Sequence, residues 1–513
     1  MTDPELASSS NVAGSPDSTS ASTPPAAPAA TATPGRRKRG LRIRAVGLIG
    51  IALILAAGSQ LTAAGRASPF APPAAVPPGA LGDPVVGADL PPLDVIDTGV
   101  GGGAGGVVVG STTVDPDTDR IRANIAFWAA KLSAHANDFV AAEKLGESQI
   151  ELARATGDLT SYVAADAAFD TALRLYPDMP AASAFKGVVL VSLHRFDEAR
   201  TLATRTLETF PDDPTSLATL GDASLELGDV AAARTAYRRL ASIAPGAAAS
   251  VRLGHLAFIE GDAAAAVTHA RAAVREADAD EEAIGERAGF YRYQLADTLL
   301  ATGDRSGATK AYRDALAHDP RSFLAHAGLG RVLAADGRID AAIGELTAAI
   351  AIVPQPDMLA RRADLYELRG TGDDAKLAAK DRATVLAIAQ LGTATGSVYD
   401  RTLALYLANH GLDAERAVEL ATAELTTRKD VYGYDTLAWA LLAAGRPAEA
   451  DEAMGHALAF GTRDAKLLYH AGMIRLALGD VGDGRARLRV ALDLDPSFDA
   501  LQADRARAAL SGN

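Results

Sequence analysis

The sequence predicts an all-α chain: a right-handed α-solenoid of tandem helix–turn–helix units of about 34 residues each, preceded by a disordered tail, one transmembrane helix and a Pro/Gly-rich linker. Three observations carry the solenoid. Prolines that close a unit recur at one fixed step, at Pro177, Pro211 and Pro245, and again at Pro320 and Pro354. Glycines that break a helix keep the same step, from Gly303 to Gly337 and from Gly411 to Gly445 to Gly479. Glycine precedes proline by half that step in Gly228–Pro245, Gly303–Pro320, Gly337–Pro354 and Gly479–Pro496. Between the markers, apolar residues return at helical spacing in a chain rich in alanine, with aromatics at only 5%.

Composition bounds the chemistry. The chain has 0 cysteines, which excludes disulfides, thiolate metal sites, a cysteine nucleophile and an acylated lipoprotein cysteine. Of 50 basic and 64 acidic side chains, residues 1–44 hold six and three, leaving 44 against 61, a balance of −17. A body this acidic is poorly suited to nucleic acid or to an anionic lipid surface.

Residues 1–35 are Ser, Thr, Pro, Ala and Gly with almost no large apolar group, so they cannot offset the entropy of ordering. The tail, residues 1–44, ends in the basic cluster Arg36, Arg37, Lys38, Arg39, Arg42 and Arg44. Ala45 to Gly65 follows, 21 residues without an ionisable group, long enough to span a hydrocarbon core as a helix. Six positive charges before it and Arg66 alone just after it place the tail in the cytoplasm and the body outside, a single-pass plasma-membrane topology. The alternative is a cleaved signal peptide, with a processing site among Thr62, Ala64, Gly65 and Ala67, and a secreted product. Both readings export the body.

Residues 66–118 form a linker in which APPAAVPP and ADLPPL favour extended backbone and GVGGGAGG favours none. Gly101, Gly103 and Gly106 match the spacing of a dinucleotide fingerprint. They lead into VVVGSTTVDPDTD without opening a helix, so the pyrophosphate-holding N-terminus is missing and the motif is rejected. From about Asp119 to Asn513 the helical pattern is continuous, with Thr118 or Asp119 as the first cap and Ile125, Phe127, Trp128 and Leu132 as the first apolar face.

One unit, Tyr293 to Pro320, states the design. Leu295, Ala296 and Leu299 line one helix, Gly303 breaks it, and Ala308, Tyr312 and Ala315 line the second before Pro320. Alanines let the two helices approach closely, and a pair this short must bury its apolar face against copies of itself. The same set recurs as Leu220, Gly221, Gly228, Ala233, Tyr237 and Pro245, and as Leu329, Gly330, Gly337, Ala342, Ala349 and Pro354. In period and in these residues the chain resembles the tetratricopeptide repeat family, over roughly residues 139–500 and about ten units. The final units, with DTLAWALLAAGRPAEA and LLYHAGMIRLALGD, resemble bacterial members of unsettled role.

Departures from the period mark irregular joints. Seven extra residues fall within 277–288, the first unit is lengthened near ARATGDLTSY, and ELRGTGDD and AQLGTATGSVYD blur the marks between Gly337 and Gly411. His194 takes a turn position that glycine holds elsewhere. SFDALQADRARAALSGN, after Pro496, reads as a polar helix capping the stack.

No chemistry-bearing motif is present. Gly-x-Ser-x-Gly, the P-loop and His-Glu-x-x-His are absent, the nine histidines are scattered, and no pair of carboxylates stands out. No catalytic residue, metal or cofactor is therefore predicted. The resemblance implies that the first helix of each unit lines a concave groove. Carrying that phase over gives Asp222, Tyr293, Asp297 and Arg331 in the middle of the chain, and Tyr432, Asp435, Trp439, Tyr469 and Met473 near its end, as groove candidates. The competing reading of the aromatic and methionine positions is packing between adjacent helices. The expected function is a membrane-tethered, extracytoplasmic scaffold that is not an enzyme and binds a protein or peptide partner in the groove. The alternatives are a self-associating structural scaffold and an envelope carbohydrate-handling factor.

Overall fold

A computed structural model describes residues 116–156, 158–280, 283, 285–395 and 400–512. The predicted tail (1–44), membrane segment (45–65) and nearly all of the linker (66–118) lie outside the described residues. Among those that are described, no helix is long and apolar enough to cross a membrane.

The described chain is 22 helices and no strand. They are α1 (Pro116–Ala134), α2 (Phe139–Thr156), α3 (Leu159–Leu175), α4 (Pro180–Ser192), α5 (Phe196–Thr209), α6 (Pro214–Glu226), α7 (Val230–Ile243), α8 (Ala247–Ile259), α9 (Ala263–Asp278), α10 (Glu286–Ala301) and α11 (Arg305–His318). The second half holds α12 (Phe323–Ala335), α13 (Ile339–Ile352), α14 (Pro356–Arg369), α15 (Asp374–Thr395), α16 (Asp400–Asn409), α17 (Ala414–Glu424), α18 (Val431–Ala443), α19 (Pro447–Ala457), α20 (Ala465–Ala477), α21 (Val481–Leu494) and α22 (Gln502–Ser511). From α2 onward they pair into ten antiparallel hairpins, in line with the ten units read from the period. The first helix, α1, starts at Pro116, ahead of the expected Asp119, because proline presets the backbone of a first turn. The last, α22, closes the stack by burying Ala503 and Ala506.

Two residues make the turn inside a typical hairpin. Gly228, Gly261, Gly303 and Gly479 end the first helix with φ between 78° and 91°, a conformation that costs a side chain strain. The aspartate that follows each one, Asp229, Asp262, Asp304 or Asp480, accepts the N–H three residues on and so caps the second helix. His194 adopts φ 56° at the equivalent turn and stacks on Phe196. The seven-residue insertion is spread over both flanks: α9 and α10 each run to 16 residues, longer than the helices of neighbouring pairs. The first unit absorbs its excess by lengthening α2 and α3 to 18 and 17 residues, and the joint before Gly411 contains the 22-residue α15.

Within hairpins, and between successive ones at Gly328, large rings occupy notches left by glycine. A Cβ on Gly221 or Gly328 would run into the ring of Tyr237 or Tyr312, and one on Gly146 would lie 2.6 Å from Phe169. Those rings are fully buried.

The stack also touches itself after one turn. Lys429 donates its backbone N–H to the carbonyl of Glu226 at 2.8 Å, and Thr462 Oγ1 donates to the carbonyl of Ile259 at 2.6 Å. Arg305 pairs with Asp495 at 2.8 Å. These partners lie close to six units apart along the chain, so each contact joins elements twelve helices apart or nearly so. Leu225, Val230 and Ile259 accordingly share one apolar core with Val431, Trp439 and Leu467. Three turn glycines allow this approach: a Cβ on Gly228 would sit 2.7 Å from the Lys429 carbonyl oxygen, one on Gly303 would sit 2.6 Å from that of Leu494, and one on Gly261 would strike Gly461. The corresponding Gly337, Gly445 and Gly479 face open space.

Candidate partner-binding site

Where the second turn covers the first, a cavity of about 330 Å³ remains. Most of its wall comes from the first helices of four successive hairpins, through residues such as His255 on α8, Asp297 on α10, Arg331 on α12 and Arg361 on α14. The following turn contributes Tyr432, Asp464, Lys466 and Asp499 from the starts of α18 and α20 and the segment before α22. Inner faces of first helices thus meet the capped N-termini of later ones, a wall of mixed charge.

The carboxylates on this wall are already engaged. Asp297 receives the Tyr293 hydroxyl at 2.8 Å and pairs with both the Tyr312 hydroxyl and the Arg331 guanidinium, which itself donates to Tyr312 Oη at 2.9 Å. Burial pushes the Tyr293 and Tyr312 phenols well above their ordinary range, so both act as neutral donors. Burial opposes the charge on Arg331, but Asp297 together with Tyr312 and Tyr293 more than offsets it. Asp364 accepts from His410 at 2.8 Å, Asp464 caps α20 through Leu467 N–H at 2.9 Å, and Asp495 takes Arg305. Burial alone would raise Asp499. Lys466, Arg361 and the N–H groups of Gln502 and Leu501 outweigh it and hold the carboxyl below its usual range.

The cations divide differently. Arg331 is tied down, whereas neither Arg361 nor Lys466 forms an ion pair within 4.0 Å among the described residues. His255, also on the wall, is pushed down to about 4 by burial and stays neutral near pH 7.

The predicted groove residues therefore separate into two groups. Asp297, Arg331 and Tyr432 reach the cavity wall. Asp222, Tyr293, Asp435, Trp439 and Tyr469 do not face an open groove, and the expectation for these five is corrected: all are buried between helices. Asp222 is held by Arg252, with contacts of 3.0 and 2.9 Å, and by the Tyr237 hydroxyl at 2.7 Å. Asp435 accepts from His470 Nδ1 at 2.8 Å, and Trp439 stacks on the His470 ring with centroids 4.1 Å apart. Trp439 Nε1 donates to Asn409, which also receives Gln502 of the capping helix. Tyr469 is fully buried against Trp439 and Phe498, and Met473 is half-buried beside the same core. The physical reason is the alanine content. Helices that approach over alanine leave narrow gaps, and the large side chains fill them. Sequence reasoning missed Arg361 and Lys466, since nothing in a run of helical charges distinguishes an unpaired cation from a solvated one.

Among the described residues no group of three or more His, Cys, Asp or Glu is arranged to hold a metal ion.

The sequence profile of the tetratricopeptide repeat agrees with this architecture and matches residues 150–214, 186–248, 218–281 and 293–357. No curated protein matches the chain in sequence. Similar solved structures include the Cut9–Hcn1 hetero-tetramer of the APC/C, at 12% identity over 77% of this chain and 94% of that one, with a TM-score of 0.33. A human IFIT1 dimer with PPP-AAAA aligns at 15% identity over 74% of this chain and 95% of that one, with a TM-score of 0.41. A tetratricopeptide repeat protein from Parabacteroides merdae aligns at 15% identity over 51% of this chain and 96% of that one, with a TM-score of 0.29.

Proposed function

Because this chain belongs to the tetratricopeptide repeat family, a fold that usually serves as a scaffold, we propose that it is a non-catalytic scaffold for a protein partner, which lays an extended segment into the cavity between the two turns. The observation that carries this reading is the state of the wall: its carboxylates are engaged internally, while Arg361 and Lys466 act on Asp499 only at longer range and have no ion pair within 4.0 Å among the described residues. A segment offering an acidic or carbonyl group there would complete both cations. Tyr432 supplies an aromatic edge of the kind that anchors interfaces. In the same reading Ala45 to Gly65 tethers the protein to the plasma membrane, and the repeats work on the extracytoplasmic side.

Two experiments test this. A photo-crosslinking residue at Tyr432 of the full-length chain, expressed in cells, should capture one discrete partner, and the same residue at exposed Thr426 should not. Lys466→Glu should abolish the capture; equal capture from both positions, or indifference to Lys466→Glu, removes the cavity as the site. For topology, protease added to intact cells should digest the repeats and spare residues 1–44, and protection of the repeats refutes the extracytoplasmic placement.

A further inference from the structure

The contact between turns is built around charge. Glu226, at the end of α6, pairs with Arg428, which lies 3.8 Å from Asp430 in the connection before α18. Asp430 in turn receives Arg401 of α16 at 3.1 Å, and Arg401 reaches Glu424 of α17 at 2.7 Å. Glu424 also lies 3.9 Å from Arg428. Glu226, Arg428, Arg401 and Glu424 have 3% to 6% of their side chains exposed, and Asp430 has 13%. The cluster therefore sets three carboxylates against two guanidiniums in a place nearly closed to water. Fully ionised it carries one surplus negative charge, and a buried uncompensated charge is costly. One proton makes it neutral.

We propose that this seam is a clasp between successive turns of the solenoid, closed by a single proton held in the Glu226–Arg428–Asp430–Arg401–Glu424 cluster and loosened when that proton leaves. The backbone bond from Lys429 to Glu226 lies in the same seam, so release acts directly on the joint between turns. The clasp goes beyond the binding role and can be tested with no partner present.

The surrounding groups fix which residue responds. Burial raises Glu226 to about 7 and also raises Glu424, whereas Arg401 and Arg428 hold Asp430 below its ordinary range against the effect of burial. The other titratable groups facing Glu226 stay neutral near pH 7. His194, in the turn before α5, is held well below its usual range by burial, then by Arg428 and Arg401. His255 on α8 is pushed to about 4, and Tyr237 on α7 is raised well above 10.0 by burial. Asp222, one turn earlier on α6, is closed off by Arg252. A carboxyl whose folded value is raised gives its full stabilisation below the ordinary value, and loses it as pH rises through the folded one. The clasp is therefore tightest below the ordinary carboxylate value and loosens as pH rises from there to about 7, by up to ~10-fold in the open-to-closed ratio per pH unit for one proton released, and it loosens no further above that. Asp430 sets the opposite limit, because its contribution disappears only as pH falls below the ordinary carboxylate range.

The absence of cysteine makes the test clean. Spin labels on Ala231→Cys and Ala423→Cys, both exposed and on opposite sides of the seam, report their separation by double electron–electron resonance in the full-length chain. One short distance is expected near the ordinary carboxylate value, and a second, longer population should grow as pH rises to about 7 and hold steady above it. Glu226→Gln, which mimics the protonated side chain, should keep the short distance throughout. Glu424→Gln removes the surplus charge from another helix and should do the same, and it stands in should Glu226→Gln fail to fold by circular dichroism. An unchanged distance distribution across that range overturns the clasp. Opening of both glutamine variants at the wild-type pH overturns the assignment of the proton to this cluster.

Discussion

Asp222 and Asp297 each lie on the inner side of a first helix, and each receives a tyrosine hydroxyl from 15 residues further on, Tyr237 and Tyr312. The guanidinium that completes each triad comes from the next hairpin, but from positions 30 and 34 residues along, one helical turn apart. The aspartate–tyrosine spacing is visible in the sequence. The arginine is not, because Arg252 and Arg331 occupy different places in the period and arginines are common on these helices. Depth also separates the two triads. Asp222→Ala leaves the Arg252 guanidinium buried without its carboxylate and is expected to cost about 3–5 kcal/mol. Tyr312→Phe removes one hydroxyl but leaves the Asp297–Arg331 pair in place, for about 1–2 kcal/mol. Urea denaturation followed by circular dichroism should rank them in that order, and a larger loss in Tyr312→Phe contradicts the assignment. The groove phase put Asp297 beside Arg331 correctly. It failed for Tyr469 and Trp439, because a period fixes which face a residue occupies but not how closely the neighbouring helix covers that face.

At the scale of the helix pair, the most readable signal is the Gly-Asp dipeptide that ends one helix and begins the next. It is incomplete in several hairpins; in two of them Arg338 and Arg446 follow Gly337 and Gly445 and offer no side-chain cap to α13 or α19. Arg338→Asp should therefore stabilise the protein by about 0.5–2 kcal/mol, by supplying the acceptor that Asp304 gives to α11. A higher urea midpoint is the expected result, and a lower one means that Arg338 has a role its lack of a cap does not reveal. The ten hairpins, the elongated first unit and the terminal cap helix were all legible, since each rests on local spacing and composition. The spacing of the markers places the insertion within 277–288 but does not reveal its absorption into longer helices on both sides. Helix ends there are decided by packing against neighbours, which outweighs local propensity.

Across the whole molecule, the regular spacing of proline and glycine says that hairpins stack and nothing about how tightly the stack winds. Pitch depends on small rotations between neighbours that accumulate over six units, and no single residue type encodes them. The turn glycines illustrate the limit. Gly303 and Gly337 look identical in the sequence and both have positive φ, yet only Gly303 lies against the following turn. Gly303→Ala should speed amide hydrogen exchange in its own turn and also near Leu494, far along the chain on the following turn, while Gly337→Ala should disturb only its own surroundings. Identical exchange maps for the two variants would mean that the turns do not touch in solution.

Repeat arrays ordinarily gain or lose whole units by duplication and deletion, since each unit meets only its neighbours. The contacts from Glu226 to Lys429 and from Ile259 to Thr462 remove that freedom here. Loss of any one hairpin between them would bring the wrong residues opposite one another, so the number of units in that interval is as constrained as a buried side chain. Length variation among descendants of this gene is therefore expected at the two ends of the array, before α6 and after α21, and not within the interval that the two contacts span.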